Sequence, residues 1–125
     1  MTLSILLAED NANIRDHLLD IMAAGPFRVD VAGDGLEALN TAKAGRYDVL
    51  VLDHKMPLMD GLRLTQNIRA LANYQETPIV LLTTGDWQTV NEKSVKAGAT
   101  ACLAKPVMPE QLLQLLKRLG YGEVA

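Results

Sequence analysis

Five short apolar runs punctuate this chain, and the stretches between them carry apolar residues at helical spacing. The runs are Ser4 to Ala8, Arg28 to Ala32, Asp48 to Leu52, Pro78 to Leu82 and Thr100 to Leu103. Runs this short, bounded by polar and turn residues, read as strands. Between them, Ile14, Leu18, Ile21 and Met22 share one helical face, as do Leu64, Ile68 and Leu71, and Leu112, Leu115, Leu116 and Leu119. The middle strands are almost continuously apolar instead of alternating, the pattern of strands covered by helices on both faces. Strand and helix alternating five times, joined by right-handed crossovers, predict a doubly wound parallel α/β sheet. With 125 residues there is room for one core, so residues 1–125 are expected to form a single domain.

Helix punctuation agrees with this division. Asp34 followed by Glu37 resembles a capping box, and Pro109 suits a first helical position. Gly25-Pro26, Gly45, Gly98 and Gly120 stand where helices are expected to stop.

Composition removes several classes of function. A content of 49% hydrophobic and 22% charged residues is that of a globular protein and not of a disordered one. A net charge of −3 gives no electrostatic footprint for nucleic acid, and Phe27, Tyr47, Tyr74, Trp87 and Tyr121 are too scattered for a base-stacking platform. Apolar stretches such as Val49 to Leu52 and Ile79 to Leu82 fall far short of the roughly 20 residues that span a bilayer. The N-terminus lacks a basic region and turns acidic at Glu9, so a signal peptide is not expected and a cytoplasmic location is. The single cysteine, Cys102, has no internal disulfide partner and is expected to be a buried thiol.

In an open parallel sheet, ligands bind beyond the carboxyl ends of the strands. There this chain places Glu9-Asp10 after the first strand, Asp53 after the third, Thr83-Thr84 after the fourth and Lys105-Pro106 after the fifth. Each has an ordinary reading alone: Glu9 or Asp10 as a helix cap, Asp53 as a turn cap before Pro57, Thr83 as a backbone partner, Lys105 as a solvated strand end. Together they point elsewhere. Close carboxylates repel by about 4 kcal/mol per pair at ~4 Å and an effective dielectric of ~20, a cost that a divalent cation relieves. Hard oxygen ligands in small number suit Mg²⁺. A carboxylate beside it can act as a nucleophile toward a phosphoryl group, Lys105 can pair with a phosphoryl oxygen, and the Thr83 hydroxyl can donate to another.

These residues resemble the receiver domain of two-component response regulators, the chemotaxis-regulator fold. The matching stretches are Leu6-Leu-Ala-Glu-Asp-Asn11, Val51-Leu-Asp-His-Lys-Met-Pro-Leu-Met-Asp-Gly61, Thr77-Pro-Ile-Val-Leu-Leu-Thr83 and Gly98-Ala-Thr-Ala-Cys-Leu-Ala-Lys-Pro106. Each element alone is common; their order and strand-end placement across nearly the full chain are specific. The resemblance implies a flavodoxin-like sheet of order 2-1-3-4-5 with five helices. It further implies that Asp53 is the phosphoacceptor and that Asp10, Asp53 and the backbone carbonyl of Lys55 ligate Mg²⁺, with Glu9 acting through a metal-bound water. By the same resemblance Thr83 would follow the phosphoryl group, Lys105 would bind it, Lys105-Pro106 would be a cis peptide, and Pro57 and Gly61 would shape the loop after Asp53.

Two positions depart from the family pattern. Where the family usually carries a rotating Tyr or Phe, three residues before the lysine, this chain has Cys102; the residue after Thr83, normally Ala or Gly, is Thr84. The chemistry is expected to survive both departures and the conformational switch to change. His54 alternates away from Asp53 and is expected to have a structural or solvent role, and the Lys55 side chain is expected near the site mouth, influencing phosphoryl lifetime. His17 reads as solvated or partner-facing, and Trp87 as a packing anchor or a substitute reporter ring.

The expected function is a stand-alone signalling switch that is not an enzyme in its own right. It would take a phosphoryl group from a histidine kinase or histidine phosphotransfer protein. It would signal to a protein target through the face of the fourth helix, fifth strand and fifth helix, as a monomer or weak dimer. The alternatives are a phosphorylation-independent docking module and a Mg²⁺-dependent phosphohydrolase; the second needs an acid where Lys55 stands.

Overall fold

The computed structural model describes residues 2–122. Its elements are β1 (Leu3–Ala8), α1 (Ala12–Met22), β2 (Phe27–Ala32), α2 (Gly35–Ala44), β3 (Val49–Asp53), α3 (Gly61–Arg69), a 3-10 turn (Ala72–Tyr74), β4 (Ile79–Thr83), α4 (Trp87–Ala97), β5 (Ala101–Ala104) and α5 (Pro109–Tyr121). All strand pairs are parallel, in the order β2-β1-β3-β4-β5. The strands lie within one residue of their expected bounds at each end, and Asp53 and Thr83 prove to be the last residues of β3 and β4. Residues 1 and 123–125 of the expected domain lie outside the described residues.

The continuous apolar runs are explained by a core on each face of the sheet. On one, Ile5, Leu7, Val49, Val51, Val80 and Leu82 pack with Leu18, Ile21 and Met22 of α1 and Leu112, Leu115 and Leu116 of α5. On the other, Leu6, Leu50, Leu52, Ile79 and Leu81 pack with Ala38 and Ala42 of α2, Leu64 and Ile68 of α3 and Val90 of α4. Each fully buried Leu, Ile or Val stabilises the fold by about 1.5–3 kcal/mol relative to an exposed one, so both faces are hydrophobically driven. The wholly apolar strand ends only where a polar residue is wanted, at the edge beyond Ala8, Leu52, Leu82 and Ala104.

Side-chain caps start four of the helices: Asn11, Asp34, Asp60 and Asp86 accept from the backbone N–H of Ile14, Glu37, Arg63 and Thr89. Neither Glu9 nor Asp10 caps α1, which leaves their carboxylates available to the sheet edge. α5 opens on Pro109 and lacks a side-chain cap bond. Gly45 and Gly98 cap the ends of α2 and α4, the latter at φ 105°. Two expectations are corrected. Leu71 lies beyond α3, which closes at Arg69 before the 3-10 turn. Gly120 does not end α5; the helix runs to Tyr121 and Gly122 caps it at φ 70°. Gly120 serves packing instead, because a Cβ there would lie 2.4 Å from Leu3 Cδ1, too near for α5 to rest on β1. The Lys105-Pro106 peptide is cis, as the resemblance implied.

Candidate functional site

Side-chain alternation along the strands decides which edge residues meet. Ile5 and Leu7 face the α1/α5 core, so Glu9 continues on that side; Val49 and Val51 lead in the same way to Asp53, and Ala101 and Leu103 to Lys105. The pairing of Ala8 with Leu52 puts Glu9 and Asp53 at adjacent strand ends. The Lys105 ammonium donates to Asp53 Oδ1 at 2.7 Å and to Glu9 Oε1 at 3.1 Å. Glu9 is fully buried and Asp53 is 5% exposed, and Glu9 also accepts the Asn11 backbone N–H through Oε2. Asp10 is exposed at the rim, yet one of its carboxylate oxygens joins those of Glu9 and Asp53 in a cluster whose members lie within 4.8 Å of one another.

Three acids thus face one ammonium. Burial, reinforced by the hydrogen bond and negative charge of Asp53, pushes the Glu9 carboxyl up to about 7. Burial works against the Lys105 ammonium, but its hydrogen bonds to Asp53 and Glu9 and their charges outweigh that and raise its pKa. Lys105 is therefore the resident counter-ion of the acids and offsets part of the repulsion anticipated from the sequence. The donor set remains what a small hard cation takes: carboxylate oxygens, few in number, with one of them at the solvent edge where water completes a coordination shell.

The loop after Asp53 is held close to the edge. The Gly61 N–H donates to His54 O at 2.7 Å, and a Cβ on Gly61 would lie 2.3 Å from Asp53 O, so only glycine fits there. Lys55 lies in this loop with its side chain exposed.

Thr83 reaches the same edge on the other face of the sheet, where Ile79 and Leu81 point. Its hydroxyl meets His54 Nδ1 at 3.0 Å and accepts the Gly85 N–H at 3.0 Å. His54 does alternate away from Asp53, and this turns it onto Thr83: the pairing of Asp53 with Leu82 makes His54 and Thr83 the next neighbours across β3 and β4. Burial lowers the His54 pKa and favours the neutral ring. Alternation within one strand was legible in the sequence; the register between two strands, which reveals this contact, was not.

Thr84 is exposed and, with Ile14, His17, Leu18, Pro106 and Val107, lines an apolar cavity of about 390 Å³ beside Lys105. Cys102 is buried and burial raises its pKa, in agreement with an unreactive thiol. Trp87, 44% exposed at the start of α4, donates from its indole N–H to Cys102 O at 2.8 Å, so a ring does stand against the position where the family aromatic is missing.

The family model of the response regulator receiver domain matches residues 5–117, and this chain belongs to that family. Its fold is that of the chemotaxis regulators. It superposes on the receiver domain of the sensor histidine kinase PA1611 from Pseudomonas aeruginosa PAO1, whose structure has a magnesium ion coordinated in the active site cleft. The TM-score is 0.89 at 32% identity, over 97% of this chain and 99% of that one. Chemotaxis response regulator CheY4 of Vibrio cholerae gives a TM-score of 0.88 at 34% identity, over 95% and 99% of the two chains. Among curated proteins, the cyclic di-GMP phosphodiesterase response regulator RpfG of Xanthomonas campestris pv. campestris (strain 8004) is 34% identical over 112 residues, 88% of this chain and 30% of that protein. The first curated relatives are longer proteins, of which the chain spans 30% to 59%. Receiver domains are signalling domains of two-component systems. Among the described residues no helix is long and apolar enough to cross a membrane.

Proposed function

We propose that residues 1–125 form a cytoplasmic, phosphorylation-controlled switch in which Asp53 accepts a phosphoryl group from a histidine kinase or histidine phosphotransfer protein. In the transfer, an Asp53 carboxylate oxygen forms a bond to phosphorus as the phosphorus–nitrogen bond of the donor breaks, and its electron pair leaves with the imidazole. Asp10, Asp53 and the Lys55 carbonyl would hold Mg²⁺, with Glu9 reaching it through water. The bound ion supplies neutralisation of the charge that builds on the transferred oxygens.

The chain's own residues do the rest. Glu9 and Lys105 fix the Asp53 carboxylate at the edge, Lys105 leaves Asp53 Oδ1 to pair with a phosphoryl oxygen, and Thr83 supplies a hydroxyl to another. The phosphoryl state would pass to a protein target through the α4, β5 and α5 face, with Trp87 beside Cys102 in place of the usual ring. The observation that carries this reading is the Lys105 ammonium between Asp53 at 2.7 Å and Glu9 at 3.1 Å.

Incubation with a small acyl phosphate and Mg²⁺, followed by intact mass, tests it. The expected result is one phosphoryl group gained by the wild type, none by Asp53→Asn and none in EDTA. Wild-type protein that gains no phosphoryl group, or a gain that persists in Asp53→Asn, would overturn the reading and favour phosphorylation-independent docking.

A further inference from the structure

Thr83 ends β4 and His54 follows the last residue of the adjacent β3, both on the face opposite Asp53, and their side chains bond to each other at 3.0 Å. The Thr83 oxygen accepts the Gly85 N–H and keeps a second lone pair and its own proton, so the direction of its bond with His54 Nδ1 is set by the tautomer of the ring. With the ring proton on Nε2, Nδ1 is the acceptor and Thr83 the donor. The ring is held there by its own backbone: the His54 N–H donates to Leu82 O at 2.8 Å, and its C=O accepts the Gly61 N–H at 2.7 Å. Thr83 is 1% exposed, so water does not compete for its hydroxyl.

A hydroxyl has one proton to donate. While Thr83 donates to His54 it cannot donate to a phosphoryl oxygen on Asp53, which faces the α1/α5 side with Lys105. We propose that His54 carries its ring proton on Nε2 and is a positioning residue that latches the Thr83 hydroxyl away from the phosphoryl site, so that capture of a phosphoryl group requires this hydrogen bond to break. The proposal rests on the receiver reading above, and adds to it a residue that sets how readily the phosphorylated state forms. One ordinary net hydrogen bond corresponds to about fivefold in an equilibrium, so the latch tunes the switch without blocking it.

Imidazole ¹⁵N spectra of the full chain read the bond directly. The chain has two histidines, His17 and His54, and His17→Gln assigns them. The expected result is a His54 ring protonated on Nε2, with an Nδ1 resonance that moves in Thr83→Val; a resonance indifferent to that change overturns the latch. His54→Phe keeps a ring and removes the acceptor. It is expected to bind beryllofluoride with Mg²⁺ about fivefold more tightly than wild type, and the gain is expected to vanish in His54→Phe/Thr83→Val. Equal affinity in His54→Phe, or a gain that survives loss of the hydroxyl, overturns the latch alone. Wild-type protein that binds no beryllofluoride overturns the receiver reading and the latch with it.

Discussion

Asp53 and Lys105, 52 residues apart in the chain, form an ion pair of 2.7 Å whose side chains are 6% and 9% exposed. Two parallel strands on the same side of the sheet deliver them, and Glu9 completes the arrangement from a third. The pair forms because alternation puts all three on the α1/α5 face, and it binds Asp53 Oδ1, an oxygen of the proposed nucleophile.

Removing the ammonium leaves the acids uncompensated. Lys105→Met is expected to lower stability by about 3 kcal/mol in EDTA, as loss of one partner from a buried pair does. Mg²⁺ should restore more of that loss than it adds to the wild type. Thermal melts with and without Mg²⁺ check this, and an unchanged melting temperature in EDTA would contradict it.

Asp10 sits at the rim of the cluster and adds repulsion without the lysine's help. Asp10→Asn is expected to stabilise the metal-free protein by about 1 kcal/mol, because carboxylates near 4.8 Å repel even in a largely aqueous dielectric. The same change should weaken Mg²⁺ binding. Chemical denaturation in EDTA and a Mg²⁺ titration measure the two effects, which must have opposite signs.

The raised pKa of Glu9 links stability and cation affinity to pH. In the folded state Glu9 holds its proton up to about pH 7, whereas the unfolded chain releases it near 4.5. Stability of the metal-free protein from this group is therefore full below 4.5, falls as pH rises toward about 7, and is flat beyond. Cation binding runs the other way, since the proton competes with the metal: affinity should weaken as pH drops below about 7. Glu9→Gln should remove both slopes, read by melting temperature and by calorimetric Mg²⁺ titration across pH 5 to 8, roughly the window that the shift defines.

Leu58 adopts φ 68° in the loop after Asp53 and is 76% exposed, so its side chain adds little packing to offset a left-handed backbone. Leu58→Gly is expected to stabilise the protein by about 0.5–1 kcal/mol, the strain relieved less the entropy that glycine adds to the unfolded chain. Urea denaturation checks the sign.

Much of this was readable from the residues. Binary patterning fixed the strands and the main helices, because burial on both faces of the sheet leaves no other explanation for runs such as Val49 to Leu52. The strand-edge rule brought Glu9, Asp10, Asp53 and Lys105 together from the sequence. Three features were hidden for physical reasons. Gly120 looked like a helix stop because glycine usually ends helices, whereas contact with Leu3, 117 positions away, requires it within α5. Lys105 looked like a phosphate ligand and proves also to be the acids' own counter-ion, which depends on distances. His54 looked idle because its contact with Thr83 depends on the register of β3 against β4.

The most direct test of the central claim locates the modified residue. Treatment with a small acyl phosphate and Mg²⁺, reduction of the resulting acyl phosphate by borohydride, and peptide mass mapping would convert the acceptor aspartate to homoserine and mark its position. Homoserine at position 53, dependent on Mg²⁺, is the predicted result. Reduction at another acidic residue, or at none, would contradict the assignment of Asp53 as phosphoacceptor.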